Sequence, residues 1–281
     1  MQWLVDHKIP IGQWAKSFVD WLTANAAWLF DFIALVLEHM IAGILWLLQT
    51  PHPFVIVALA VILAWVVRRN LAFPLFVLAA MLLIINQGYW KETTETLALV
   101  VSSTFVCMLV GVPVGVAAAH RPWLYEVLRP ILDLMQTIPT FVYLIPALIL
   151  FGLGMVPGLI ATVIFAVPAP IRLTQLGISS TPTALVEAGE AFGATRRQLL
   201  WKVELPYALP NIMAGLTQTI MLSLSMVVIA ALVGADGLGV PTLRALNQVN
   251  IARGFEVGVA IVLVAIVLDR FFRKESTGGR G

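Results

Sequence analysis

Long apolar runs alternate along the chain with short clusters of charge, glycine and proline. From residue 54 onward the runs are Phe54–Val67, Leu71–Ile85, Thr96–Ala119, Ile131–Leu153, Leu159–Ile178, Pro210–Gly234 and Gly254–Leu268. A helix needs about 20 apolar residues to cross a bilayer. The first two runs are short, but their flanks can complete them. The pattern predicts an all-α polytopic membrane protein of seven spans, or eight if residues 28–48 also cross. Pro139 and Pro146 interrupt the fourth run, while Pro168 and Pro170 interrupt the fifth, which also carries Arg172. Gly111-x-Pro113-x-Gly115 in the third run reads as a close-packing motif with room for a kink. Between the runs lie a polar loop at Gln87–Glu95, a hinge at His120–Pro130, a tight turn at Phe151–Gly158 and an amphipathic segment at Ala235–Arg253.

Residues 1–52 follow a different pattern. Asp20, Ala27, Asp31, Glu38, Ala42 and Gln49 fall on one helical stripe, with Trp21, Trp28, Phe32, Ile41 and Trp46 on the other faces. The tryptophans favour an amphipathic helix lying at the membrane interface. The competing reading is a span whose Asp31 and Glu38 turn into the bundle, at a few kcal/mol per charge. Asp6, His7, Lys8 and Pro10 interrupt any apolar core near the start, so no cleavable leader is expected.

Composition agrees with the pattern. The chain is 60% hydrophobic and 11% charged, against roughly 25% charged for a soluble domain. A net charge of +2 without a basic patch points away from nucleic acid. Cys107 stands alone in an apolar run, as a packing residue would. Orientation follows from the 17 basic residues. If residues 180–207 face the cytoplasm, Arg68, Arg69, Arg121, Arg129, Arg172, Arg196, Arg197, Lys202, Arg270, Arg273, Lys274 and Arg280 lie inside. Lys8, Lys16, Lys91, Arg244 and Arg253 then lie outside. The C-terminus is therefore expected in the cytoplasm and the N-terminus outside, unless residues 28–48 cross.

The segment Glu187–Pro206 (EAGEAFGATRRQLLWKVELP) cannot lie in hydrocarbon, since it carries Glu187, Glu190, Arg196, Arg197, Lys202 and Glu204. It reads as two short helices. Thr181-Pro182 offers an N-cap and a proline at the first turn. Leu185, Ala188 and Phe192 share a face, and Gly193 stops the first helix. Thr195 with Gln198 is a capping-box start, and Leu199, Leu200 and Val203 carry the second apolar face up to Pro206. Such a pair suits docking on a soluble protein, although a solvated connector has the same composition.

The spacing of this segment resembles a known family. Glu187-Ala188-Gly189, Gly193 after three residues and Val203-x-Leu205-Pro206 after nine more resemble the EAA loop of permease subunits of bacterial ATP-binding cassette importers. Gly189 stands where that pattern has alanine and Val203 where it has isoleucine. The resemblance implies that Glu187, Ala188, Gly189, Gly193, Ala194, Arg196, Arg197, Leu205 and Pro206 couple the permease to a separate ATPase subunit. Three longer runs, Asp133–Ala147, Ala191–Leu200 and Ile212–Ala230, are similar to permeases for glycine betaine, proline betaine and choline. The resemblance divides the chain into an N-terminal helical segment (1–52), two accessory helices (53–95), a five-helix core (96–268) with its coupling loop at 180–207, and a basic tail (269–281). It further implies a bacterial inner-membrane complex of two copies of this chain, two ATPases and an extracytoplasmic substrate-binding protein. ATP and Mg would be held by the ATPases, with no cofactor on this chain.

Quaternary ammonium ions bind aromatic faces, and the resemblance places the high-affinity cage on the binding protein. Two stripes can line a looser membrane path. Asn211, Gly215, Gln218, Leu222 and Ser225 share a face of the span after the loop, with Met221 beside them. Asp133, Gln136, Thr137 and Thr140 flank Pro139, with Phe141 and Tyr143 close by. Polar residues in spans face the bundle or a water-filled cavity. Packing between helices or copies explains Gly215 and Ser225 equally well. The chain has no GxxxxGK[ST] phosphate loop and no ligand spacing among its four histidines. ATP hydrolysis and metal chemistry are therefore not expected of it. A secondary carrier would need an ion-coupling site and usually an internal repeat, and neither is visible. An amino-acid permease of the same family remains the nearest alternative.

Overall fold

The computed structural model describes residues 10–272, and the described residues are almost entirely helical. Asp6–Lys8, on which the expectation of no cleavable leader partly rests, and the tail residues Arg273, Lys274 and Arg280 lie outside them. We number the helices α1 (Ile11–Gln49), α2 (Pro53–Arg68), α3 (Ala72–Asn86), α4 (Trp90–His120), α5 (Pro122–Thr137), α6 (Thr140–Phe151) and α7 (Met155–Ala166). They continue as α8 (Pro168–Ser179), α9 (Thr183–Ala191), α10 (Arg196–Leu199), α11 (Leu205–Ala230), α12 (Gly239–Asn247) and α13 (Ile251–Phe272). By length and composition, five helical stretches can cross a membrane: α1, α4, α7 with α8, α10 through α11, and α13. The pair α5–α6, bent by 96°, can supply a sixth crossing. Helices α2 and α3 are apolar but shorter.

Glycine sets the closest packing. A Cβ on Gly111 would lie 2.7 Å from Pro170 Cγ, and one on Gly115 would lie 2.7 Å from the Ile171 carbonyl oxygen. The glycine pair of the third apolar run is therefore where α4 meets α8, and α4 continues through Pro113 without a break. Gly177 allows the same approach to Ala208 on α11. Hydroxyls along these contacts bond to carbonyls of their own helix: Thr162 donates to Gly158 O, Thr219 to Gly215 O and Ser103 to Val100 O. Such back-bonding spares a hydroxyl the cost of meeting hydrocarbon unpaired. The main apolar core gathers Leu99, Leu159, Leu224, Val227, Leu238 and Val257.

Several element boundaries differ from the sequence pattern. The expected loop Gln87–Glu95 is helical from Trp90, and Thr93, Thr94, Glu95 and Thr96 are buried. Another segment closes over them: the Leu238 N–H donates to Thr96 Oγ1 at 2.9 Å. Gly237, at φ 128°, makes this possible, since a Cβ there would lie 2.7 Å from that same oxygen. The expected hinge His120–Pro130 shrinks to Arg121. The chain turns sharply instead at Ile138–Pro139, while Pro146 stays inside α6.

In α1 the backbone leaves the helical region at Ala26 (φ −123°, ψ 17°). Beyond that kink Leu37 and Ile41 are buried in the core, whereas Asp31 and Glu38 are exposed rather than turned into the bundle. Phe30 meets Phe151 edge-on at 5.6 Å, and Gln49 donates to Thr94 at 2.8 Å.

The molecule has two distinct ends. At one, the Gly154 N–H donates to Val233 O, and Leu238 reaches Thr96. At the other, Arg68 donates to Arg270 O and His120 pairs with Glu204. The segment Ser180–Glu204 belongs to this second end.

Candidate functional site

The loop between α8 and α11 forms two helical pieces joined by a built corner. Helix α9 closes with the Gly193 N–H on Glu190 O (2.8 Å) and the Ala194 N–H on Gly189 O (3.0 Å). This crossed pair is a Schellman stop, which needs a left-handed residue, and Gly193 supplies it at φ 77°. Two residues on, Thr195 Oγ1 accepts from the Gln198 N–H while Gln198 Oε1 accepts from the Thr195 N–H at 2.8 Å, the reciprocal capping box. Stop and start therefore abut, and Gly193–Thr195 is a fixed bend.

Two expectations for this loop need correction. Thr181 does not cap α9: Pro182 occupies that position, and Thr181 Oγ1 is buried without a hydrogen bond. Nor does Pro206 end the second helix. Residues Leu200–Glu204 form a π-turn, with the Leu205 N–H reaching back to Leu200 O, and α11 follows directly. A wide turn accommodates the N–H that proline lacks and the bulk of its ring. Arg196–Val233 is thus one continuous 38-residue helical stretch.

Gly189 gains a physical reason. It faces Leu199 across the corner, and a Cβ would lie 2.5 Å from Leu199 Cδ2. The apolar face of α9 is left open. Leu185 is exposed, Ala188 is exposed and Phe192 is 93% exposed, and Glu187, Glu190, Arg196, Arg197 and Lys202 of the same loop are exposed as well. Ala194 is half-buried at the corner; Leu205 and Pro206 sit at the start of α11. The root of the loop is tied down by a pair that the sequence pattern did not reveal. His120, the last residue of α4, bonds through Nε2 to Glu204 Oε2 at 2.9 Å. The two lie 84 positions apart, and no local spacing links them.

The second group of candidates lies higher in the bundle. Gln218 and Ser225 are exposed on α11 with Met221 half-buried between them, and Ser225 Oγ donates to Met221 O. Gln136 and Thr140 are half-buried on either side of the bend between α5 and α6. Tyr143 holds that bend, since its hydroxyl donates to Met135 O at 2.7 Å, a carbonyl near the end of α5. Its ring packs with Leu144, Ala161 and Met226. Asp133, at the start of this stripe, is bonded to Arg172 of α8 at 2.6 Å. A lone arginine in an apolar run is a signal for such a partner.

A family described as "Binding-protein-dependent transport system inner membrane component" matches residues 111–273. The chain belongs to this family. The importer permease is 47% identical over 264 residues to the glycine betaine transport system permease protein OpuAB of Bacillus subtilis, covering 94% of this chain and 93% of that one. It is 43% identical over 265 residues to the glycine betaine/carnitine transport permease protein GbuB of Listeria monocytogenes, with 93% and 94% covered. Identity to the glycine betaine/proline betaine permease ProW of Escherichia coli is 41%, with 93% and 74% covered. Among solved structures, an inward-facing MetNI methionine ABC transporter aligns with a TM-score of 0.58 at 26% identity, over 69% of this chain and 98% of that one. Fold and family thus agree on a helical importer permease. The expected coupling loop, at 180–207, falls within the matched region.

Proposed function

We propose that this permease is the translocation subunit of an ATP-driven importer for quaternary ammonium solutes of the glycine betaine and choline class. Two copies pair in the bacterial inner membrane with two ATPase subunits, which hold ATP and Mg. A substrate-binding protein delivers the solute from outside. The charge distribution supports a cytoplasmic C-terminus and coupling loop. For the N-terminus, Phe30 and Gln49 contact residues at one and the same end of the bundle. We read the half of α1 between them as running along the outer ends of its neighbours.

The open face of Leu185, Ala188 and Phe192 carries this reading. An open apolar face on a loop rich in exposed charge suits a protein groove, and the fixed corner behind it holds the face in position. Gln218 and Ser225, exposed, and Gln136 and Thr140, half-buried, support a path through the membrane, since polar side chains open on a span favour a cavity or a partner over lipid. Changing Phe192→Asp should abolish co-purification of the ATPase subunit; full recovery of the complex would sink the docking role.

Substrate class is tested by ATPase stimulation in the reconstituted complex with its binding protein. A response to glycine betaine or choline is expected, and none to either would overturn the assignment. The likeness to a methionine transporter favours one alternative cargo, an amino acid. Stimulation by methionine alone would establish it.

A further inference from the structure

Arg172 on α8 donates through Nη2 to Asp133 Oδ1 on α5 at 2.6 Å. Both side chains remain open, Asp133 at 56% and Arg172 at 32%. Yet α8 completes the apolar stretch Met155–Ser179, and α5 belongs to the bent pair that can form a crossing. As a staple, an ion pair this exposed contributes only about 0–1 kcal/mol. A charge at the centre of a crossing helix costs about 2.5–3.5 kcal/mol against lipid, and this pair lies off centre: Ile171 packs on Gly115, five residues from the end of α4 at His120. Stability therefore does not explain the pair, and open charges toward the end of a bundle suit the mouth of a hydrated path. The surroundings agree: Gln136 and Thr137 follow Asp133 at steps of three and four on α5, and Gln175 follows Arg172 at a step of three on α8. Residues at these steps share a helix face.

We propose that Asp133 and Arg172 form a transit site for zwitterions on the membrane path. The proposal rests on the quaternary ammonium reading above and narrows it to solutes that also carry a carboxylate. The solute carboxylate takes the planar fork of Arg172, which binds carboxylates through two parallel hydrogen bonds. The quaternary ammonium has no N–H to donate and lies against Asp133 by charge alone. One ion pair becomes two, and the summed charge stays zero throughout. Neither protein charge loses its partner as the solute passes. A bare cation such as choline engages Asp133 and leaves Arg172 without a partner, so the site favours betaines over choline. The half of the contact that relies on charge alone keeps the solute loosely held, as passage requires.

The test uses the complete complex in proteoliposomes with labelled glycine betaine. The double variant D133N/R172Q removes both charges while keeping a polar, hydrogen-bonding side chain at each position. Uptake is expected to fall at least about tenfold, with the thermal midpoint and ATPase co-purification retained. R172K, which keeps the charge without the fork, should lie between the double variant and wild type. Unchanged uptake in the double variant overturns the proposal. So does a loss matched by a lowered thermal midpoint, which would make the pair a structural tie. Wild-type complex that takes up no glycine betaine overturns the substrate class instead, a result read separately from the variants.

Discussion

Gly193 offers a graded test of the fixed corner. Its φ of 77° is left-handed, and a Cβ built there meets nothing within 4 Å. Substitution therefore acts through backbone conformation alone. An ordinary L-residue pays about 1–2 kcal/mol to enter this region, a factor of 5–30 in the population of the bent loop. Asparagine tolerates the conformation better than other side chains. Proline cannot adopt it, because its ring fixes φ near −65°. It also deletes the N–H that donates to Glu190 O at 2.8 Å. Solute-stimulated ATPase and uptake, measured on the reconstituted complex, should rank wild type and Gly193→Asn highest, Gly193→Ala several-fold lower and Gly193→Pro near zero. Proline with wild-type uptake would refute the claim that this bend transmits the stroke. Equal deep losses for Asn and Ala would refute the conformational origin of the effect.

Other outcomes follow from the same geometry. Gly115→Ala drives a Cβ to 2.7 Å from the backbone oxygen of Ile171. It should cost about 1–3 kcal/mol, seen as a lower thermal midpoint in detergent, whereas Gly258→Ala, with open space around it, should not lower it. Gly189→Ala meets only the movable end of Leu199, so transport should survive with a loss of less than about 1 kcal/mol in stability. His120→Ala leaves the Glu204 carboxylate, 13% exposed, without its imidazole partner. Faster hydrogen exchange across Leu200–Glu204 is expected, with His120→Gln restoring protection and a cost of about 1–3 kcal/mol for the alanine change.

The loop between α8 and α11 was the most legible part of the chain because its signals are local. A stop glycine, a capping box and an apolar face are written within about one or two turns of each other. Close packing of α4 was legible for the same reason, through Gly111 and Gly115, although the motif does not name α8 as the partner. What escaped depends on segments far apart in the chain. Thr93–Glu95 read as part of a polar loop, since nothing nearby shows that the backbone at Gly237 and Leu238 will close on the adjacent Thr96. Pro206 read as a helix stop because a preceding π-turn has no short-range signature. The His120–Glu204 tie joins residues 84 positions apart. Asp133 and Arg172 were each conspicuous, but their pairing came only with the bend at Ile138–Pro139.

The π-turn at Leu200–Glu204 has a consequence for rotational phase. A π-turn inserts one extra residue into an otherwise regular helix, and each residue advances the helix by about 100°. This single insertion therefore sets the angle between the surface that Arg196–Leu199 presents outside the membrane and the stripe of Gln218 and Ser225 within it. Deleting one residue at Leu200–Glu204 would leave both surfaces intact in sequence and turn one away from the other by about 100°. The helix would remain full-length, but the faces at its two ends would be out of step.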